Sequence, residues 1–129
     1  VKINDWELAG YIAGPVDTEA RMRAAVGKLL GAGAQAAIIT RAGEPALVVR
    51  GDEAWELLPP RCERGSREGC GDSMMGALAA SMAAGRDWEE TLRLGAAAGA
   101  ANFLRHGLGS GARRVVEELF AKVELRPLC

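Results

Sequence analysis

The spacing of apolar residues changes along the chain, and the change predicts strands in the first half and helices in the second. Short apolar runs rich in β-branched residues, at residues 36–40 and 46–50, are typical of buried strands. A further run at residues 54–58 follows the turn residues Gly51 and Asp52. Residues 46–58 are therefore predicted to form a hairpin.

Helical spacing marks the segments between and after these strands. Met22, Val26 and Leu29 recur three or four residues apart, behind a capping residue at Asp17 or Thr18. The predicted helices cover about residues 18–30, 72–84, 88–105 and 113–120, with short strands at residues 1–3 and 122–125. Because strands and helices alternate early and helices dominate late, the pattern favours an open α/β layer fold.

Composition narrows the classes of function. The 129 residues are 49% hydrophobic and 26% charged, as in a globular domain with a real core. The net charge of −1 gives no electrostatic reason to expect nucleic acid or membrane binding. No apolar run is long enough to cross a bilayer. The odd set of Cys62, Cys70 and Cys129 matches no zinc pattern, so reduced thiols and a cytoplasmic location are expected.

Near the start of the chain, Asn4 and Glu7 have the three-residue spacing of a capping box. This spacing predicts a helical turn that begins after residue 4. Gly14 and Pro15 would then break that turn, since neither residue favours a continuing helix.

The segment Gly69-Cys70-Gly71-Asp72 opens a long helix of small apolar residues. A helix N-terminus with unpaired N–H groups is suited to bind an anion, and glycine allows a phosphate to approach the backbone closely. Asp72 would stand where a base could meet a hydroxyl that attacks this phosphate. The alternative is that Asp72 only caps the helix or complements its dipole.

With these motifs in order, the chain resembles the C-terminal half of a ribokinase-type sugar kinase of the phosphofructokinase-B family. The branch it resembles most is that of 1-phosphofructokinase and tagatose-6-phosphate kinase. Residues 2–8 are similar to the family's lysine-proline-asparagine segment and its N-x-x-E motif. Residues 69–72 resemble its G-A-G-D signature, residues 95–102 its alanine-rich helix and residues 123–125 its closing strand.

The resemblance implies a role for each motif. Asp72 would be the general base that takes the proton from the sugar hydroxyl. The backbone of Gly69, Cys70 and Gly71 would form the anion hole for the transferring phosphate. The remaining implied contacts are those to the cofactors, with Mg²⁺ placed through waters by Asn4 and Glu7, and ATP contacted by Thr40, Gly43 and Asn102.

Some positions depart from the family pattern. Ile3 stands where the family usually has proline. The turn after Thr40 carries Ala42 and Pro45 where glycines are usual, and proline removes an N–H donor from any nucleotide contact there. Family members are also more than twice as long as this chain, and their N-terminal half supplies the sugar site, most of the central sheet and the lid.

The resemblance therefore implies a three-layer αβα, ribokinase-like (Rossmann-like) fold in which residues 1–129 are the C-terminal, ATP-binding portion. The expected function is that of the ATP-binding half of a carbohydrate kinase, which transfers the γ-phosphate of ATP to a hydroxyl of a sugar or sugar phosphate and is inactive in isolation. The alternative is a non-catalytic nucleotide-binding domain, or one that self-associates as a homodimer through an exposed sheet edge.

Overall fold

Five strands form a single sheet in the order in which they occur along the chain. The computed structural model describes residues 1–105 and 111–128. The strands are β1 (Lys2–Asn4), β2 (Ala36–Arg41), β3 (Glu44–Arg50), β4 (Glu53–Leu58) and β5 (Glu124–Leu128). Strand β1 runs parallel to β2, and β2 runs antiparallel to β3. The α/β class predicted from the alternation of patterns is confirmed.

The contacts divide the chain into two compact units. The first contains residues 1–56 and the end of the chain from Arg126, and the second contains Leu57–Leu125. In the first unit, helices α1 (Asp5–Ile12) and α2 (Glu19–Gly31) share a core with β2 and β3. The side chains that meet in this core include Leu8, Val26, Ile39 and Leu47, each at most 3% exposed.

The caps of these two helices follow the sequence prediction. Asn4 caps α1 through a complete capping box with Glu7. Thr18 rather than Asp17 caps α2, and its side chain accepts a hydrogen bond from the backbone N–H of Arg21. Helix α1 ends where Ala13 adopts the left-handed conformation, with φ of 53°, one residue before Gly14.

The turn after β2 is tighter than the sequence suggests. Residues 41–45 are predicted to form the turn, but Arg41 already pairs with Glu44 across a two-residue connection. Gly43 takes a φ of 76° in that connection, which few other residues adopt without strain. Pro45 lies inside β3, next to an irregularity in the β2–β3 register, a kind of position where proline is tolerated in a strand.

The second unit contains helices α3 (Cys70–Ala83), α4 (Trp88–Phe103) and α5 (Arg113–Phe120). Glycines on α4 let α3 approach it closely. A Cβ added at Gly95 would lie 2.8 Å from the side chain of Leu78, and one added at Gly99 would lie 3.2 Å from the carbonyl oxygen of Cys70. Any larger residue at Gly95 would force the α3 side chains to move.

Several predicted boundaries shift by a few residues. Helix α3 begins at Cys70, two residues before the predicted start, because Gly69 supplies the N-cap. Helix α4 ends at Phe103, and β5 starts at Glu124 after the buried Val123. The cysteine at position 129 lies outside the described residues. In the part of the chain that the structure describes, no helix is long and apolar enough to cross a membrane.

The tryptophans differ in burial. They are expected as packing anchors from the sequence, since large aromatic side chains usually bury most of their surface. Trp55 and Trp88 are half-buried, but Trp6 is 86% exposed on α1, and the expectation is wrong for this residue. Tyr11, on the same helix, is also exposed. Helix α1 therefore presents aromatic surface that its own unit leaves uncovered.

We expect Leu8→Ala to destabilise the chain by about 2–5 kcal/mol, because it removes a fully buried side chain from the core of the first unit. Leu104→Ala is the matched control, since Leu104 is 44% exposed and its truncation leaves no cavity. Urea unfolding followed by circular dichroism measures both. Equal midpoints for the two variants would contradict the placement of Leu8 in the core.

Candidate functional site

Helix α3 begins with no side chain to satisfy its first N–H groups. Its N-cap is Gly69, which adopts the left-handed conformation with φ of 74°. The N–H of Cys70 reaches the carbonyl of Arg67 at 3.3 Å. Within residues 1–105 and 111–128, the N–H groups of Gly71 and Asp72 have no acceptor. The first turn of α3 therefore offers backbone donors, together with the positive end of the helix dipole, to an external anion.

The carboxylate of Asp72 lies beside these donors. Asp72 is the third residue of α3 and is exposed. The interpretation of Asp72 as the capping residue does not describe this helix, because Gly69 occupies the cap position and no side chain caps it. The other alternative stands, since an acid in the first turn complements the helix dipole. No group in the described part of the chain donates a hydrogen bond to the Asp72 carboxylate.

The loop before α3 is held by its own hydrogen bonds. The backbone N–H of Glu68 donates to the hydroxyl of Ser66 at 3.3 Å. The thiol of Cys70 donates to the carbonyl of Ser66, also at 3.3 Å. We call residues 65–72 the anion loop. Its backbone is fixed from Ser66 to the start of the helix, which suits a site that must present N–H groups in one direction.

The anion loop is also attached to the C-terminal end of α4. The N–H of Ser66 donates to the carbonyl of Phe103 at 2.9 Å. A Cβ added at Gly65 would lie 1.8 Å from that same carbonyl oxygen, so only glycine fits there. The sequence analysis did not single out Gly65. Its signal is weak, since a glycine in a polar loop looks like any other turn residue.

Asn102 lies at the same end of α4, and its side chain is 2% exposed. Its Nδ2 donates to the carbonyl of Glu68 at 2.6 Å and lies 3.6 Å from Sγ of Cys70. The contact with ATP that the family resemblance implies for Asn102 stays a prediction. The structure brings its amide against the backbone of the anion loop, and the buried amide on an alanine-rich helix is the signal that could have shown this contact.

The thiol of Cys62, in the second unit, lies in a partly buried environment. Burial raises the pKa of the Cys62 thiol, and the positive charge of Lys122 opposes that shift only in part. The thiol of Cys62 points to the carbonyl of Pro60 at 3.6 Å. Cys62 therefore stays protonated to a higher pH than an ordinary cysteine, which argues against a role as a nucleophile.

In the first unit, Asn4 and Glu7 bond to each other's backbones. The Glu7 N–H donates to Oδ1 of Asn4 at 2.7 Å, and the Asn4 N–H donates to Oε2 of Glu7 at 3.0 Å. The other carboxylate oxygen of the exposed Glu7 stays available. Within the described ranges, no group of three or more histidine, cysteine or acidic residues could enclose a metal. Asn4 and Glu7 offer only a few oxygen ligands. Such a small set suits a cation that keeps most of its waters, as Mg²⁺ does.

Thr40 lies on β2, the strand next to this capping box. Asn4 and Thr40 are paired residues at the ends of the parallel strands β1 and β2, so their backbones lie side by side. Gly43 lies in the exposed connection that follows β2. Arg41 reaches across this hairpin and donates from Nε to the carbonyl of Pro45 at 2.7 Å. The structure thus brings Asn4, Glu7 and Thr40 together at one edge of the sheet.

Two curated relatives resemble the chain in sequence. The 1-phosphofructokinase of Xanthomonas campestris pv. campestris is 37% identical over 82 residues, which cover 64% of this chain and 26% of that protein. The ATP-dependent 6-phosphofructokinase isozyme 2 of Escherichia coli K12 is 31% identical over 108 residues, which cover 83% of this chain and 35% of that protein. The chain thus spans about a third or less of the length of these relatives.

Comparison with solved structures supports the ribokinase-like fold. The match to the structure of Arabidopsis thaliana ribokinase complexed with ribose and ATP covers 93% of this chain and 41% of that one, with a TM-score of 0.81 and 24% identity. The family model described as pfkB family carbohydrate kinase matches residues 1–114. The chain belongs to the pfkB family of carbohydrate kinases.

Proposed function

We propose that the chain is the ATP-binding part of a carbohydrate kinase, which transfers the γ-phosphate of ATP to a hydroxyl of a sugar or sugar phosphate. The observation that carries this proposal is the start of α3, where the N–H groups of Gly71 and Asp72 have no acceptor within the described residues. An exposed carboxylate stands on the same turn. Phosphoryl transfer requires this combination of anion-binding donors and a group that accepts a proton.

In the proposed mechanism, the backbone of Gly69, Cys70 and Gly71 surrounds the transferring phosphate. The N–H groups of Gly69, Gly71 and Asp72 bind it, while the N–H of Cys70 already contacts the carbonyl of Arg67 at 3.3 Å and takes part only if it leaves that contact. These donors are fixed before the reaction, so they stabilise the charge that develops on the phosphate without having to reorganise. Asp72 accepts the proton of the attacking hydroxyl. Because the transition state is loose, the protein contributes positioning and charge stabilisation rather than covalent chemistry.

Asn4 and Glu7 are the proposed contacts of Mg²⁺, through waters of its shell. The metal would neutralise charge on the ATP phosphates. The capping box leaves one oxygen of the Glu7 carboxylate available for this role while the other holds the start of α1. Capping and metal placement are therefore compatible for the same residue.

Thr40 and Gly43 are the proposed nucleotide contacts of the first unit. Thr40 lies at the end of β2 beside Asn4, and Gly43 has no side chain to obstruct a ligand that approaches the hairpin. The proposed substrate class follows from the two relatives, which are phosphofructokinases. We propose a phosphorylated hexose, with the sugar contacts supplied by residues outside this chain, and no transfer by the chain in isolation.

Asp72→Asn is expected to leave ATP binding unchanged, because a base that acts on the sugar hydroxyl is not needed to hold the nucleotide. Calorimetric titration of ATP with Mg²⁺ should give a dissociation constant between about 1 μM and 1 mM for both proteins. Gly69→Ala is the comparison variant, since it strains the left-handed cap and should weaken ATP binding. Absence of ATP binding by the unaltered chain would overturn the proposed function.

Glu7→Gln separates metal placement from capping. Glutamine retains a side-chain oxygen for the Asn4 N–H, so thermal stability should stay the same. The loss of charge should weaken the Mg²⁺-dependent part of ATP affinity by about tenfold. Titration of ATP with and without Mg²⁺ measures this effect. If Mg²⁺ changes the ATP affinity of Glu7→Gln and of the unaltered chain equally, Glu7 acts only as part of the capping box.

A second candidate function, self-association, is favoured by the exposed surface of the first unit. Among the described strands, β1 is at the edge of the sheet and pairs only with β2. The adjoining helix α1 exposes Trp6 and Tyr11. An unpaired strand edge next to exposed aromatic side chains is typical of a surface that pairs with another chain.

Trp6→Glu is expected to convert a self-associated chain to a monomer, because it places a charge on the exposed aromatic surface of α1. Met82→Glu is the matched control, since Met82 is also exposed, at 61%, but lies on α3. Sedimentation equilibrium of both variants and the unaltered chain measures the mass. A monomeric unaltered chain, or association that both variants retain, would contradict pairing through this surface.

A further inference from the structure

We propose that Asn102 is a positioning residue, whose side-chain amide sets the direction of the Glu68–Gly69 peptide group and so aims the donors of the anion loop at a phosphate. This inference rests on the proposed function, because it assigns a role to Asn102 within the same site. It differs from a direct contact between Asn102 and the nucleotide, since the side chain acts through the backbone of the loop.

The geometry of the Glu68–Gly69 peptide group links the Asn102 amide to the Gly69 N–H. The carbonyl of Glu68 and the N–H of Gly69 belong to one planar unit, and no described peptide bond is cis. In a trans peptide the C=O and N–H point in opposite directions. The hydrogen bond of 2.6 Å from Nδ2 of Asn102 to the Glu68 carbonyl therefore turns the Gly69 N–H away from α4. A flipped peptide would direct a carbonyl oxygen toward the anion instead.

Gly69 adopts a left-handed conformation that it does not hold by itself. Glycine adopts a φ of 74° easily, but it adopts other conformations just as easily. Gly69 therefore permits this left-handed turn but does not by itself restrict the backbone to it. The bond from Asn102 acts one peptide before Gly69 and restricts this freedom, so the first turn of α3 keeps one orientation before any ligand arrives.

Helix α4 contacts the anion loop on both sides of the Glu68–Gly69 peptide group. Gly99, Asn102 and Phe103 lie on one face of α4, at the i, i+3 and i+4 positions. Phe103 accepts a hydrogen bond from Ser66, while Gly99 allows the carbonyl of Cys70 to approach. The amide of Asn102 lies between these contacts. The end of α4 thus forms a platform to which the loop is fixed at its beginning, middle and end.

Burial explains why an amide is required. The Asn102 side chain is 2% exposed, so water cannot easily replace a lost hydrogen bond to the Glu68 carbonyl. An aspartate has the same shape, but its carboxylate oxygen would face the carbonyl oxygen of Glu68, and neither atom could donate a hydrogen bond. The second amide proton can point to Sγ of Cys70, whose own thiol bonds the carbonyl of Ser66. The amide therefore joins the loop at more than one point.

The test compares Asn102→Asp and Asn102→Ser with Thr91→Val. Thr91 is a matched control because it is also buried on α4, at 1% exposure, while its hydroxyl has no partner among the described residues. Hydrogen exchange of residues 65–72 without ligand should become about tenfold faster in both Asn102 variants and stay unchanged in Thr91→Val. Unchanged exchange in either folded Asn102 variant, or equal acceleration in Thr91→Val, would overturn the proposal.

Titration with ATP and with adenosine distinguishes positioning from nucleotide contact. The Asn102 variants should bind ATP about tenfold more weakly and bind adenosine as the unaltered chain does, because only ATP engages the loop through phosphate. An equal loss for both ligands would show a direct contact with the nucleoside and overturn the proposal. If the unaltered chain does not bind ATP while exchange accelerates in the variants, the proposed function fails and the positioning of the loop stands.

A measurement on the unaltered chain keeps the proposal falsifiable if both Asn102 variants fail to fold. The side-chain amide protons of Asn102 should exchange slowly in NMR spectra, because they are buried and hydrogen-bonded. Exchange at the rate of an exposed asparagine would overturn the proposal.

Discussion

The absence of a side-chain cap at the start of α3 is the constraint on which the candidate site depends. Most helices satisfy their first N–H groups with a serine, threonine, aspartate or asparagine at the N-cap. Thr18 and Asp87 do this for α2 and α4. Gly69 offers no such acceptor, so α3 keeps donors available for a ligand. The local loss in helix stability is offset by the packing of α3 against α4, which also supports the anion loop.

The same polar residues serve both architecture and chemistry in this chain. Asn4 and Glu7 close the start of α1, yet the Glu7 carboxylate retains an oxygen that faces solvent. Asn102 is buried like a core residue but directs its amide to a loop that would otherwise depend on glycine. Structural and functional roles are therefore not exclusive alternatives for these residues, and variants that preserve one role are needed to measure the other.

Much of the fold follows from local sequence signals. The strands at β2 and β3, the capping box at Asn4 and the cap at Thr18 all rest on residues close together in the chain, where periodicity and side-chain chemistry act directly. The contact between Asn102 and Glu68 spans 34 positions and depends on how α4 packs, which local patterns do not encode. Exposure of Trp6 was missed for a related reason, since hydrophobicity alone does not tell which surface another segment covers.

The glycines that let α3 and α4 approach have a consequence for how the second unit folds. Gly95 and Gly99 lower the helix propensity of α4, which its alanines otherwise favour. Leu78 and Met74 lie over these glycines, so packing against α3 contributes to the stability of α4. The platform of the anion loop therefore depends on the contact between the two helices.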